Sequence, residues 1–327
     1  MASLSDTDAK ILKILLADGR KPFVEIANEL GISKDIVWRN YAKMKTTGII
    51  TGATTQVHSR KVGYYGVASV HLNVESRGTQ DLLKNANAIY PDFHIFRQFS
   101  GRFNVGAIIR FRELRELDQI KEVICRNRPV NEIRTYIWTD VRNIPENIVP
   151  NCSYVPEIEK QKTANLRSEG SVDLCDTLDL QIIEALAANG RASFREIGSN
   201  IGISADTVAR RYEILKKSNA LRVTIQVNPK KLGYQAILDT SIALTTQDET
   251  IDIVNRLAQI QGVGYILRIT GDYDLQVVTL VRDCEDIIRI NLEIEDIPHI
   301  KRIEALMRQF RSGRESWPGG RQHISTF

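Results

Sequence analysis

The sequence contains the same two-domain pattern twice, and this duplication limits the possible folds more than any other feature. The stretch DAKILKILLADGRKPFVEIANELGISKDIVWRNYAKMK from Asp8 aligns with DLQIIEALAANGRASFREIGSNIGISADTVARRYEILKK from Asp179 at an offset of 171 residues. A one-residue gap near Gly48 changes the offset to 170, which pairs Gly101 with Gly271. A period of about half the chain indicates duplication of a two-domain unit rather than a solenoid of short repeats.

Each copy begins with three short amphipathic helical patterns. A glycine ends the second helix, at Gly31 in the first copy and Gly202 in the second, and a serine follows as the cap of the third, at Ser33 and Ser204. A helix, a short turn around glycine and a capped helix form the helix-turn-helix pattern. The strand patterns IITGATTQV and ALRVTIQV follow, in a position to act as a wing.

Positive charge is concentrated on and after the third helix of each copy. Residues 34–61 contain six Lys or Arg against one acid, and residues 205–231 contain seven against two, a net charge of +5 in each, although the whole chain carries only +4. One such helix could simply present a solvated face, but its recurrence favours contact with double-stranded DNA. The predicted DNA-binding residues are Ser33, Lys34, Trp38, Arg39, Ser204, Thr207, Arg210 and Arg211.

The rest of each copy alternates strand and helix in the order β-α-β-β-α-β, which predicts a ferredoxin-like domain. The fold class is therefore α+β, with two copies of a winged helix-turn-helix domain followed by a ferredoxin-like domain. A sheet with helices on one face needs cover on the other, so we expect a pseudo-dimer within the chain, and further homo-oligomers. The expected boundaries are 1–60 and 174–230 for the helix-turn-helix domains, 61–142 and 231–307 for the ferredoxin-like domains, 143–173 for a linker and 308–327 for a basic tail.

Taken together, the Ser-capped helix-turn-helix, the short wing, the βαββαβ domain and a G-D-Y-D turn between its central strands resemble the Lrp/AsnC, or feast/famine, transcription regulators. The resemblance covers nearly the whole chain, twice. It implies dimers formed through the ferredoxin-like domain, and small effectors such as amino acids bound near the turn. The residues that match the turn are Gly271, Asp272, Tyr273 and Asp274, whereas the first copy has Gly101, Arg102, Phe103 and Asn104.

This difference between the two turns suggests that the copies have separate roles. An acid in the turn can accept the ammonium group of an amino acid, whereas Arg102 would repel it. The alternative is that Asp272 and Asp274 are ordinary turn residues, since aspartate favours turns.

An enzymatic interpretation stays open, because the same domain plan is similar to that of the sirohaem decarboxylases. In the first copy His94 could ligate iron and Arg97 could bind a carboxylate, with Asn104 close by in sequence. The second copy has Gly264 and Leu267 in place of His94 and Arg97, which argues against this interpretation.

Other features indicate no further chemistry. The four cysteines have no ligand spacing, which argues against a zinc site. The sequence has no Walker loop, no Rossmann glycine fingerprint and no nucleophile motif, so we predict no other metal, no cofactor and no catalytic residues. No export signal and no long apolar run is present, so we expect a cytoplasmic protein without membrane contact. The tail is expected either to touch DNA or to be a solubilising end, and its arginines are Arg308, Arg311, Arg314 and Arg321.

Overall fold

Both copies of the repeat contribute to each of two units in the computed structural model, which describes residues 4–75, 93–99, 101–126, 130–157, 174–310, 316–318 and 325–326. The helix-turn-helix unit comprises Met1–Val62, Pro145–Gly233 and Arg314–Phe327. The sheet unit comprises Gly63–Ile144 and Tyr234–Gly313. The duplicated domains are therefore grouped by type rather than by copy.

The helix-turn-helix unit contains three helices and one strand from each copy. Their bounds are α1 Asp6–Ala17, α2 Phe23–Leu30, α3 Lys34–Thr46 and β1 Ile50–Val57 in the first copy, and α5 Thr177–Ala188, α6 Phe194–Ile201, α7 Ala205–Lys217 and β6 Leu221–Val227 in the second.

Local sequence signals set the ends of these helices. Ser5 begins α1 and Asp176 begins α5, each with a reciprocal capping box that satisfies two backbone N–H groups. Gly31 and Gly202 end α2 and α6 with φ of +65° and +77°, a left-handed conformation that glycine adopts without steric cost.

The strand that follows each third helix pairs with the equivalent strand of the other copy. β1 and β6 are antiparallel, with Thr54 opposite Thr224. The Thr54 hydroxyl donates to the carbonyl of Ala187 at the end of α5, and the Thr224 hydroxyl donates to the carbonyl of Leu16 at the end of α1. Val57 accordingly packs in the apolar core of the second copy. The two wings are thus one shared sheet.

The beginning of the expected linker and part of the expected tail also lie in this unit. A short 3₁₀ helix at Pro145–Ile148 packs on α1, with Ile148 and Val149 fully buried. In the tail, Trp317 is buried and bridges to Val227. A two-residue strand, β11 at Ser325–Thr326, pairs in parallel with β1. Arg311, Arg314 and Arg321 lie outside the described residues.

The sheet unit contains the ferredoxin-like half of each copy. Its elements are β2 Gly66–Val74, β3 Phe93–Arg97, β4 Val105–Phe111, α4 Leu114–Cys125 and β5 Val130–Asn143 in the first half, and β7 Ala236–Leu244, α8 Thr250–Leu257, β8 Val263–Ile269, β9 Leu275–Val281, α9 Cys284–Glu295 and β10 Ile300–Arg308 in the second. The first helix expected in the first half, over TQDLLKNANAIY, lies outside the described residues.

These strands form one eight-stranded sheet in the order β10-β7-β9-β8-β5-β2-β4-β3. Each half has the strand order of the ferredoxin-like plan, and the halves join where β5 pairs with β8. An isolated bridge between Gln98 and Arg308 connects the end of β3 to β10. The predicted α+β fold class is confirmed.

The sheet faces that the helices leave uncovered are polar and buried. Ser69, His71, Asp239 and Gln276 all lie on these faces, on the opposite side from the apolar cores. One contact between the halves joins two of these side chains: the Ser69 hydroxyl donates to Gln276 Oε1 at 3.3 Å. Within the first half, Trp138 Nε1 donates to the same hydroxyl. The pairing of the halves therefore covers the face that the sequence leaves without helices.

Among the helices that the structure describes, none is long and apolar enough to cross a membrane.

The close approach of the two copies at Gly19 gives a stability prediction. A Cβ added at Gly19 would lie 2.7 Å from the backbone carbon of Thr224, so Gly19→Ala forces β6 away from α1. We expect the free energy of unfolding to fall by about 1–3 kcal/mol, measured by thermal unfolding followed by circular dichroism. Gly52→Ala is the matched control, because its Cβ would meet only the end of the Gln226 side chain. Equal melting of the two variants would contradict this account.

Candidate nucleic-acid interface and effector turn

Two arginines hold the helix-turn-helix copies together by reciprocal contacts. Arg20 donates to the carbonyls of Gly190 and Ala192, both at 2.8 Å, and Arg191 donates to the carbonyl of Gly19 at 2.7 Å. Each guanidinium also lies over an aromatic ring of the other copy, Arg20 over Phe194 and Arg191 over Phe23. The exchange of equivalent contacts gives this unit a pseudo-twofold relation between α3 and α7.

The first of these helices, α3, presents a polar outer face. The Ser33 hydroxyl accepts from the backbone N–H of Ile36, so the serine caps the helix as predicted from its position. Lys34 and Arg39 are exposed, and Trp38 is 61% exposed, which is unusual for an indole. The residues Ser33, Lys34, Trp38 and Arg39 therefore lie at the solvent-facing side and N-terminal end of α3.

The second of these helices, α7, has the same cap but a different face. Ser204 accepts from the backbone N–H of Thr207 at 3.1 Å, and the two hydroxyls are 2.8 Å apart. Arg210 is exposed. Arg211 instead pairs with Asp176 and Asp179 at the start of α5. The guanidinium of Arg211 thus fastens α7 to α5, while its DNA contact remains a prediction.

The first copy makes the corresponding connection from another position. Lys43 contacts the buried carboxylate of Asp8 at 3.0 Å, which ties α3 to the start of α1. Sequence reasoning missed these ties and missed the roles of Arg20 and Arg191. The Gly-Arg pair matched between the copies was the available signal, but a matched pair does not reveal that each arginine reaches the other copy.

The predicted effector turn lies in the sheet unit against β5 of the first half. Gly271 has φ of +122°. Asp272 forms an ion pair with Arg134, and its side chain is 56% exposed. Asp274 is held within the second half: it accepts from the Leu244 N–H at 2.7 Å and from Gln247 at 2.6 Å. Asp274 therefore supports the end of β7, while Asp272 faces solvent and the other half.

Tyr273, the third residue of this turn, is buried. Its hydroxyl donates to Glu304 at 2.6 Å. Burial, reinforced by the hydrogen bond to the Glu304 carboxylate, raises the pKa of Tyr273 to about 12. The ring packs edge-on to Tyr136 of the first half, with the centroids 6.2 Å apart. Tyr273 is thus a neutral hydrogen-bond donor at the contact between the halves.

The equivalent turn of the first half is closed by other contacts. Arg102 pairs with Glu132 of its own half. The Asn104 amide donates to the carbonyl of Val74 at 2.5 Å and accepts from the N–H of the same residue at 2.9 Å. Asn104 is therefore bound to the backbone of β2.

The other residues of the enzymatic interpretation lie on β3. Arg97 is exposed, and its guanidinium lies 5.9 Å from the centroid of the Phe99 ring. The backbone of His94 pairs with Ile108 of β4, and the His94 side chain lies outside the described part of the structure. Within that part, no group of three or more His, Cys, Asp or Glu side chains is arranged to hold a metal ion.

Two protein families match this chain. Residues 4–45 and 176–216 match the AsnC-type helix-turn-helix domain, and residues 235–309 match the Lrp/AsnC ligand binding domain. The first family thus matches both copies, and the second matches the half that carries the G-D-Y-D turn.

Several proteins named as regulators are similar to between 35% and 43% of this chain. The HTH-type transcriptional regulator Ptr1 of Methanocaldococcus jannaschii is 30% identical over 146 residues, which cover 97% of that protein and 43% of this chain. The HTH-type transcriptional regulator LrpA of Pyrococcus horikoshii is 30% identical over 115 residues, covering 81% of it and 35% of this chain. The regulatory protein AsnC of Escherichia coli is 27% identical over 136 residues, covering 90% of it and 41% of this chain.

A solved structure with the same fold spans nearly the whole chain. The siroheme decarboxylase NirDL aligns with a TM-score of 0.59 at 17% identity, covering 94% of this chain and 91% of that one. Its complex with an iron-uroporphyrin III analogue aligns with a TM-score of 0.60, also at 17% identity, and covers 98% of this chain and 95% of that one. At this identity the similarity shows the fold alone.

Proposed function

Because the chain belongs to the Lrp/AsnC family, we propose that it is a sequence-specific DNA-binding transcription regulator that reads two unlike half-sites. The observation that carries this proposal is the joining of two serine-capped helices, α3 and α7, in one unit by reciprocal contacts of Arg20 and Arg191. A pseudo-twofold pair of such helices suits an imperfect inverted repeat, with half-sites about one helical turn apart.

The exposed residues of the two helices support unlike half-sites. Arg39 and Arg210 occupy equivalent positions and are both exposed, so each is suited to a phosphate or to a guanine edge. Next to them Trp38 corresponds to Ala209, so only α3 offers an indole to the groove. Ser33 and Ser204 cap the two helices, and the first backbone N–H groups of each helix are suited to bind a phosphate. Lys34 and Thr207 complete the proposed DNA face, and Arg211 positions α7 through Asp176 and Asp179.

We also propose that a small zwitterion such as an amino acid binds at the turn formed by Gly271, Asp272, Tyr273 and Asp274. The exposed ion pair between Asp272 and Arg134 supports this, because its two charges match an ammonium and a carboxylate. Such a ligand would replace the ion pair between Asp272 and Arg134 with two ion pairs, one to each of these side chains. It would thereby join the halves at this point. The Gly101 turn has Arg102 where this turn has Asp272, so we assign effector binding to the second turn alone.

We infer that the chain is not a tetrapyrrole enzyme. Both the carbonyl and the amide group of Asn104 are occupied by the backbone of Val74, which leaves that side chain no role toward a substrate. Arg97 and His94 have no counterparts in the second copy, where Leu267 and Gly264 stand. The relatives named above are regulators by name, and the decarboxylase shares the fold at low identity.

Selection from a randomised duplex library at two salt concentrations tests the DNA proposal. We expect a split, slightly asymmetric motif. Replacing Arg39 and Arg210 together with alanine should lower affinity about ten- to hundredfold and reduce the slope of log K against log salt by about 2, if each contacts one phosphate. Arg256→Ala, an exposed arginine of the sheet unit, is the control. Retention without any motif, or unchanged binding by the double variant, would contradict the proposed face.

Thermal shift against the twenty amino acids tests the effector site. A ligand at 100 times its Kd should stabilise the native protein by about 2.7 kcal/mol. Asp272→Asn should abolish the response, because the amide cannot pair with an ammonium. Asp252→Asn, at an exposed position on α8, should leave it intact. A response that survives Asp272→Asn would place the effector elsewhere.

Titration of the purified protein with an iron tetrapyrrole tests the enzymatic alternative. We expect the absorption spectrum of the free tetrapyrrole, without a shifted Soret band. A shifted band that His94→Ala removes would overturn the regulator-only interpretation.

A further inference from the structure

Each half of the sheet unit contacts the other through the same surface. A Cβ added at Gly271 would lie 3.1 Å from the ring of Tyr136 on β5, and one added at Gly101 would lie 2.3 Å from Leu306 on β10. Tyr136 and Leu306 are equivalent positions at the offset of 170. The glycine turn of each half therefore sits against the last strand of the other, which we call the turn contact.

The charges at the two turn contacts are opposite. Each half has charged residues at three equivalent positions. One position lies in the turn, next to the glycine, and two lie on the last strand, on the side facing the turns. At every one of these positions, one half carries an acid where the other carries an arginine. The equivalent pairs are Arg102 and Asp272, Glu132 and Arg302, and Arg134 and Glu304.

The contacts show that these charges face one another. Asp272 pairs with Arg134 of the other half, and Arg302 of its own half donates to the Asp272 carbonyl at 3.3 Å. The second turn thus meets an arginine of the other half at its carboxylate and an arginine of its own half at its backbone carbonyl.

The first turn has the inverse arrangement. Arg102 pairs with Glu132 of its own half. Glu304 of the other half approaches from the other side: its Oε1 lies 3.9 Å from the position that a Cβ of Gly101 would occupy. The arginine of the first turn thus pairs with one acid of its own half, and the glycine beside it faces an acid of the other half.

We propose that this inversion makes each half select the unlike half and reject its own kind. In a pair of two first halves, Arg102 of each would meet Arg134 of the other. In a pair of two second halves, Asp272 of each would meet Glu304. Both pairs would bring like charges together, a known means of excluding wrong partners. The partner of this surface is therefore the unlike half, from the same chain or from a second copy.

A charge exchange in the full chain tests the proposal. Arg102→Asp, Glu132→Arg and Arg134→Glu together give both halves the charges of the second half, and so imitate a pair of identical halves. Asp272→Arg, Arg302→Glu and Glu304→Arg together give both the charges of the first. Combining all six changes restores opposite charges with the arrangement reversed. In a background with Trp38→Phe and Trp317→Phe, the fluorescence of Trp138 reports on the sheet unit alone.

We expect each triple variant to melt about 5 °C lower than the parent at low salt. Most of this difference should disappear at 1 M salt, where the Debye length is about 3 Å. The sixfold variant should melt close to the parent. A neutral variant, which combines Arg102→Gln, Glu132→Gln and Arg134→Gln, should show a smaller loss with little dependence on salt. If the sixfold variant loses the sum of the two triple losses, the inverted charges do not govern pairing and the proposal is wrong.

Discussion

The antiparallel pairing of β1 with β6 is the contact on which the helix-turn-helix unit depends. Each strand comes from one copy and packs under a helix of the other, so neither copy has a complete sheet of its own. A lone strand would leave a row of backbone N–H and C=O groups without partners. The pairing satisfies these groups and at the same time fixes how α3 and α7 are related. The arrangement of the two predicted reading helices thus results from a sheet that the two copies share.

The glycine-arginine pair before α2 and α6 shows how the chain permits this arrangement. Gly19 and Gly190 let the backbones of the two copies approach, with the N–H of each bonded to a strand carbonyl. The adjacent Arg20 and Arg191 then reach across and cover the aromatic residues of the other copy. The glycine thus permits the close approach, and the adjacent arginine binds the other copy. This explains why both residues recur in the repeat.

Local signals allowed the sequence to predict the elements, while their partners over long distances were hidden. The caps Ser33 and Ser204, the turns at Gly31 and Gly202 and the βαββαβ order all follow from periodicity and turn chemistry, and the fold class was predicted from them. The pairing of β1 with β6 was not predicted. Both strands show the same alternation of residues, so pairing within a copy and pairing between copies look alike in sequence. Ile148 and Val149 are likewise buried in a segment whose prolines indicated a linker.

The candidate sites show the same division between local and distant information. That Arg39 and Arg210 lie on the outer faces of their helices follows from the apolar stripe opposite them. The ion pairs of Arg211 with Asp176 and Asp179 could not be predicted in the same way, because these acids lie about 30 residues earlier and look like a capping box alone. The difference between Arg102 and Asp272 was visible in the alignment. The matching inversions on β5 and β10 gain meaning only when the turns are known to face those strands.

The pairing of strands between the two copies has a consequence for synthesis of the chain. At about 5–20 residues per second, a ribosome needs roughly 10–30 s to pass from β1 to β6. During that interval the first half emerges with the partners of β1 and β5 still untranslated. Neighbouring ribosomes on one messenger RNA then hold several first halves close together. Arg102 of one such half would approach Arg134 of the next, so two nascent first halves would repel each other at the surface that pairs with a second half. Each chain would then pair with its own second half once that half has been translated.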